Sequence, residues 1–94
     1  MKFDWDNGKA ARNADKHDGV TFEEAVTVFD DPFFVVLADD GHSFNELRYW
    51  IIGESVQTRI LLTVYTERGD VVWIISAREA TAKERVMYEE EKCS

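Results

Sequence analysis

Lys9, Arg12 and Lys16 recur at i, i+3 and i+7, so a helix through them carries its cations on one face. Ala10, Asn13, Ala14 and His17 recur at i, i+3, i+4 and i+7 and share the neighbouring face. Far along the chain, Ser76 and Arg78 stand two residues apart behind an apolar run. A small hydroxyl beside a fixed cation suits an anion. With Arg48, Arg59, Arg85, Tyr65 and Tyr88 these residues form a cationic and hydroxyl set. Cleavage of an RNA strand without a metal needs parts of this kind. A base takes the 2′-OH proton, cations stabilise the charge growing on the phosphoryl oxygens, and an acid protonates the leaving 5′-oxygen. The set is weakly specific, because any small domain contains some of it. Plainer readings stand beside it. The cationic ridge is then a solvated helix face, and His17 a structural histidine at a helix C-terminus. Ser76 then ends a strand and Arg78 pairs with a nearby carboxylate.

Other chemistries lack their residues. Two widely separated histidines and one cysteine give no metal-ligand spacing, so neither a metal nor another cofactor is expected. Cys93 cannot form an internal disulfide and fits a reducing compartment. To act as a nucleophile it would have to be held near His17 or His42, a poor prospect for a residue next to the end. No Gly-rich phosphate loop is present. The net charge of −8 disfavours non-specific binding to nucleic acid or anionic lipid and suits a basic partner protein. That charge is uneven: Asp30-Asp31, Asp39-Asp40 and Glu89-Glu90-Glu91 hold much of it, which leaves room for a local cationic site. No secretory signal and no membrane-length apolar run is visible, so a cytoplasmic protein without membrane attachment is expected. A length of 94 residues points to one domain over 1–94.

The elements must position these groups. Residues 1–5 alternate apolar and polar, a short strand with Phe3 and Trp5 inward. Asp6 N-caps a helix to about His17, and Asp18-Gly19 ends it with a C-cap glycine. Thr21 and Glu24 form a capping box. The helix it opens turns Phe22, Ala25, Val26 and Phe29 to the core until Asp31-Pro32 stops it. Strands are predicted over 33–38, 47–53 and 58–66, with a loop over 39–43 and a turn over 54–57. Arg48, Trp50 and Ile52 share one face; so do Ile60, Leu62 and Val64, with Leu61, Thr63 and Tyr65 opposite. Residues 71–75 read as a buried central strand ended by Ser76, with Ser76 and Arg78 opposite Trp73, Ile75 and Ala77. A capping box of Thr81 and Glu84 opens the last helix. Short connections imply a four-stranded antiparallel meander, to whose edge the first strand can add. The fold class is α+β: a short N-terminal strand, two helices, the meander and a C-terminal helix.

A set of residues spread over nearly the whole chain forms one pattern. It begins with Trp5-Asp6, Lys9-Ala10, Asn13, Lys16-His17, Gly19-Val20, Phe22 to Ala25, Val28-Phe29 and Asp31-Pro32. Glu46, Arg48-Tyr49 and Ile52-Gly53 continue it in the middle. Tyr65 to Asp70, Ile74 to Arg78, Ala80-Thr81, Glu84-Arg85 and Tyr88 complete it. The Lys-His pair and the Ile-Ile-Ser-Ala-Arg string are specific in combination, and by these residues the chain resembles the BrnT family of bacterial type II toxins, which resemble the RelE-like ribonuclease fold. Trp73 stands where that family usually has arginine. The resemblance implies an endoribonuclease that cleaves mRNA and stalls bacterial growth. It implies neutralisation by a BrnA-like antitoxin with a ribbon-helix-helix domain, operator DNA being reached only through that antitoxin. Lys16 and His17 become candidates for proton transfer or phosphate contact, Arg48 and Arg78 for phosphate stabilisation, and Ser76 and Tyr88 for positioning substrate. Lys9, Arg12, Arg59 and Arg85 are candidates for holding RNA. Base and acid are not assigned. A second reading is a catalytically weak relative that binds antitoxin and tunes repression; a homodimer stays open under both.

Overall fold

The computed structural model describes residues 1–39 and 46–93. Along them run β1 (Lys2–Trp5), α1 (Asn7–Lys16), α2 (Phe22–Val26), a 3-10 turn (Thr27–Asp30), β2 (Val35–Ala38), β3 (Arg48–Glu54), β4 (Ile60–Arg68), β5 (Val71–Glu79) and α3 (Ala82–Cys93). Of the loop expected over 39–43, residues 40–43, His42 among them, lie outside the described residues. The α+β class and the meander are as expected: β2, β3, β4 and β5 pair antiparallel in chain order. β1 joins the outer side of β5 in parallel, with Phe3 opposite Val72 and Trp5 opposite Ile74. Among the described residues the sheet therefore has five strands, in the order β1-β5-β4-β3-β2.

Helices cover both faces unequally. On one face, Val20 and the α2 side chains Phe22 and Ala25, with Val28, interlock with Ile51, Leu61, Ile74 and Ala77, none more than 1% exposed. Burial of each larger side chain there contributes about 1.5–3 kcal/mol. Phe3, Phe29, Tyr65 and Tyr49 extend this layer through ring contacts with centroids 5.0, 5.1 and 5.4 Å apart. On the other face, α3 covers one end of the sheet, where Tyr88 packs on Ile52 and Leu62.

Two elements depart from the sequence pattern. α2 is shorter than its apolar stripe predicts. After Val26 the chain tightens to a 3-10 turn, and the change of phase carries Val28 fully into the core while Val26 and Phe29 stay half-buried. β5 does not stop at Ser76 but runs to Glu79, and it contains a bulge. Val64 pairs with Ser76 while the next residue, Tyr65, pairs with Ile74, so Ile75 is the extra residue. Paired residues share a face. Trp73 opposite Thr66, Ser76 opposite Val64 and Arg78 opposite Leu62 thus lie on the same face. Strict alternation sets Trp73 against the other two; the bulge reverses that. Val72, Ile74 and Ala77 take the helix-packed face.

Candidate active-site cleft

Asp6 starts α1 as expected, its carboxylate accepting the Lys9 amide at 3.1 Å. The Lys9 and Gly8 amides hold that carboxyl below its ordinary range. At the far end His17 closes the helix, its N–H donating to the Asn13 carbonyl. Two left-handed residues follow, Asp18 at φ +52 and Gly19 at φ +73, and the Gly19 amide returns to the Ala14 carbonyl at 2.9 Å. This is a Schellman turn in which aspartate, not the expected glycine, takes the first left-handed position. It fixes where Lys16 and His17 leave the helix.

Asn13 sets α1 against the sheet. It is 7% exposed, and its side-chain amide donates to the Ala77 carbonyl at 2.8 Å and the Val20 carbonyl at 2.9 Å. Its Oδ1 accepts the Ala77 amide at 3.1 Å. β1 ends at Trp5, opposite Ile74, so among the described residues this side of β5 has no strand partner further on. Asn13 offers Ala77 one donor and one acceptor, as a neighbouring strand does. The sequence places Asn13 in a small-residue stripe and carries no sign of this pairing.

Between α1 and the bulge of β5 lies an open cleft of about 530 Å³, lined by Lys9, Arg12, Asn13, Asp15, Lys16, His17, Ile75 and Ser76. The candidates Lys9, Arg12, Lys16, His17 and Ser76, far apart in sequence, meet here. Cations on one wall and a hydroxyl on the other suit the phosphate of an extended anionic chain. The imidazole adds a group that can accept or give a proton. Ser76 is also the junction with the open sheet face that carries Trp73 and Arg78.

The remaining candidates are held elsewhere. Arg78 is clamped by Glu84, its two terminal nitrogens meeting the carboxylate at 2.8 and 3.0 Å. The Glu84 hydrogen bond pushes the guanidinium pKa up against burial, and the guanidinium holds the Glu84 carboxyl low. Glu84 also completes the expected capping box, accepting the Thr81 amide at 2.9 Å while its own amide donates to Thr81 Oγ1 at 3.3 Å. The plainer reading of Arg78, a cation paired with a carboxylate, therefore holds; that of Ser76 as a strand end does not.

Tyr88 is 2% exposed and donates its hydroxyl to Asp31 at 2.6 Å. Burial first, and that bond second, push the phenol pKa up. Asp31 also accepts the amides of Phe33 and Glu54 at 2.9 and 2.8 Å. Burial raises its pKa, but the Tyr88 bond, the two amides and Lys92 outweigh it and leave the carboxyl below its ordinary value.

Arg59 reaches Glu24, whose side chain is 1% exposed, and donates to the Asp18 carbonyl at 3.2 Å. The earlier capping box is thus half made. The Glu24 amide donates to Thr21 Oγ1 at 3.0 Å, while the Glu24 carboxylate is taken by Arg59 and Ser55. Arg85 is exposed on α3 in a separate recess with Glu89 and Lys92. Arg48, opposite Thr66, lies on the open sheet face. On that face Arg68, which no spacing in the sequence signals, lies 4.6 Å over the Trp73 ring and binds Glu46 at 2.8 and 3.0 Å.

Among the described residues, no three of His, Cys, Asp and Glu cluster as metal ligands, and no helix is long and apolar enough to cross a membrane. Residues 5–84 match the family model described as the ribonuclease toxin, BrnT, of type II toxin-antitoxin systems. The crystal structure of the Brucella abortus ribonuclease toxin, BrnT, matches with a TM-score of 0.67 and 25% identity, over 86% of this chain and 97% of that one. No curated protein matches the chain.

Proposed function

Since the chain belongs to the BrnT family of ribonuclease toxins of type II toxin-antitoxin systems, we propose that it cleaves RNA in the cleft between α1 and β5, without a metal ion. The observation that carries this reading is the meeting of Lys9, Arg12, Lys16 and His17 with Ser76 across one cleft. The scissile phosphate sits between the cationic wall and the serine hydroxyl. One cleft group removes the 2′-OH proton, and that oxygen attacks the adjacent phosphorus. Charge growing on the non-bridging oxygens is stabilised by the ammonium and guanidinium groups. A second group protonates the departing 5′-oxygen, leaving a 2′,3′-cyclic phosphate and a 5′-hydroxyl. Lys16 and His17 are the two groups suited to those transfers. Lys9 and Arg12 hold the flanking strand, and Arg48 receives it on the open face. Arg78 and Tyr88, engaged by Glu84 and Asp31, support the cleft by pinning α3 to the sheet.

Type II systems pair such a toxin with an antitoxin. Here a basic, BrnA-like partner with a ribbon-helix-helix domain fits the net charge of −8, and operator DNA is then contacted by the antitoxin alone. The test is RNA cleavage by the purified chain in EDTA, beside growth and RNA integrity on induction in a bacterial host. Wild type is expected to cut and leave cyclic phosphate ends, with Lys16→Ala/His17→Ala slower by about 100-fold or more at unchanged fold. A requirement for divalent metal, or full activity in the double variant, overturns the assignment. The acidic charge also favours a second reading, a catalytically weak antitoxin-binding module, because it opposes an RNA strand. Intact RNA and continued growth, with a tight antitoxin complex, select that reading.

A further inference from the structure

We infer that Arg59 is a positioning residue of the cleft: through the Asp18 carbonyl it holds the end of α1 from which Lys16 and His17 project. The effect on catalysis rests on the ribonuclease reading; the brace itself does not. Arg59 does not line the cleft. It is the first residue after the hairpin loop that joins β3 to β4. There the Ser55 amide donates to the Arg59 carbonyl at 2.8 Å, and the Thr58 amide to the Ser55 carbonyl at 2.9 Å. Thr58 is left-handed, at φ +63. A three-residue loop closed in this way is tight. The Val56 amide donates to Thr27 Oγ1 at 2.9 Å, which fastens the hairpin to the 3-10 turn. Arg59 therefore leaves a fixed base.

A guanidinium is planar and carries five donors in a rigid fork. Here Nε and Nη2 both meet the Glu24 carboxylate, Nε at 3.0 Å. Ser55 Oγ donates to the same carboxylate at 2.6 Å. The remaining nitrogen, Nη1, donates to the Asp18 carbonyl at 3.2 Å. The Glu24 side chain is 1% exposed, so its charge is costly to leave unpaired. That pairing fixes the plane of the guanidinium and with it the direction of Nη1.

The end of α1 has use for such a tie. Asn13 and Val20 are buried, but Lys16, Asp18 and Gly19 between them are exposed. Helix ends fray, and a left-handed aspartate is strained. The turn closes through its own backbone, Gly19 to the Ala14 carbonyl at 2.9 Å and Val20 to the His17 carbonyl at 3.0 Å. Arg59 adds a bond from the sheet to the residue directly after His17. Lys9 and Arg12 lie earlier on the helix, so a looser turn leaves a bound strand in place and misplaces Lys16 and His17. Loss of the brace therefore lowers kcat. An arginine that itself gripped phosphate would instead raise KM and steepen the salt dependence of binding.

The experiment compares wild type with Arg59→Lys, which keeps a charge for Glu24 but loses the fork. Thr27→Val is the control, because it loosens the same hairpin without touching the bond to Asp18. Steady-state RNA cleavage and amide hydrogen exchange are read for each. Arg59→Lys should lower kcat by about tenfold or more with KM within about twofold of wild type. Its Gly19 and Val20 amides should exchange about tenfold faster, and the NMR signals of Lys16 and His17 should shift. Thr27→Val should lower Tm and leave kcat and those amides as in wild type. Unchanged kcat and exchange in Arg59→Lys, a raised KM at unchanged kcat, or equal losses in Thr27→Val overturn the proposal. If Arg59→Lys loses its fold, Glu24→Gln/Arg59→Met decides by the same readouts, since it removes the buried charge together with its partner. A wild type that cuts no RNA defeats the ribonuclease reading, and exchange at Gly19 and Val20 then decides the brace alone. An active wild type whose kcat and exchange survive Arg59→Lys does the reverse.

Discussion

Replacing Asn13 with alanine removes its bonds to the Ala77 amide, the Ala77 carbonyl and the Val20 carbonyl together. A buried hydrogen bond contributes about 1 kcal/mol net, and a buried group left unpaired costs about 1–3 kcal/mol. At 7% exposure, little water can reach the vacated groups. The expected loss is about 3–4 kcal/mol, against a total stability of about 5–15 kcal/mol for domains of this kind. At a urea dependence of about 1.5 kcal/mol/M, the unfolding midpoint falls by about 2–2.7 M. Asn13→Asp is the companion variant. It keeps an acceptor for the Ala77 amide but sets a carboxylate against two carbonyls. It should be less stable than the alanine variant at neutral pH and recover in part on acidification, when the protonated carboxyl regains one donor. Equilibrium urea unfolding followed by tryptophan fluorescence measures both. RNA cleavage without denaturant supplies a second readout: Asn13 sets the gap between α1 and β5, and a misplacement of about 1 Å can cost about 100-fold in rate. A midpoint shift below about 0.5 M for Asn13→Ala would mean that Ala77 and Val20 find other partners, and the clamp would be refuted.

Three further outcomes are expected. The carboxyls of Glu24, Asp31 and Glu84 lie below their ordinary values, Glu24 through Arg59, Glu84 through Arg78, and Asp31 against burial through Tyr88 and two amides. The stability they add is complete above the unfolded-state values near pH ~4 and is lost as pH falls through the lower folded-state values. Glu24→Gln should therefore flatten the fall of Tm below about pH 4, and an unaltered pH profile would contradict the Arg59 pairing. Tyr88→Phe keeps the ring but removes the bond to Asp31, which should cost about 1–2 kcal/mol in thermal unfolding and leave the cleavage rate of the folded chain unchanged. A rate loss without a stability loss would return Tyr88 to the reacting groups. Asp18→Gly relieves a left-handed aspartate and removes an anion from a helix C-terminus. It should raise stability by about 0.5–1 kcal/mol, read as a Tm increase of about 3–6 °C; a fall in Tm would speak against the Schellman geometry.

Local signals in the sequence carried well into the fold. Asp6, Thr21 and Thr81 cap helices through side-chain bonds three residues long, and such contacts are written within a single turn. The alternation of β3 and β4 and the cationic spacing of Lys9, Arg12 and Lys16 are equally local, which is why the meander and one wall of the cleft were legible. What was hidden depends on partners far along the chain. A bulge changes the face of every later residue, yet Ile75 looks like any strand residue until Val64 and Tyr65 choose their partners. Glu24 reads as the return half of a capping box and is instead drawn to Arg59, because a buried carboxylate is better served by a guanidinium than by one amide. Asp31 reads as a helix stop and proves to join the 3-10 turn, β3 and α3. Asn13 carries the same lesson, since nothing near it in sequence announces Ala77.

The distance along the chain between those last two residues bears on synthesis. Asn13 and Ala77 are 64 positions apart, and β1 also waits for β5 as its sheet partner. α1 can wind as soon as it is made, but its docking surface does not yet exist. A nascent polypeptide extended through β4 already holds every cation of the cleft on an undocked helix, with no opposing wall of Ile75 and Ser76. Translation proceeds from the N-terminus, so the order of appearance is fixed. Any activity housed in the cleft is absent from ribosome-bound chains until the fifth strand emerges, and a message truncated before that strand yields a chain without the second wall of the cleft.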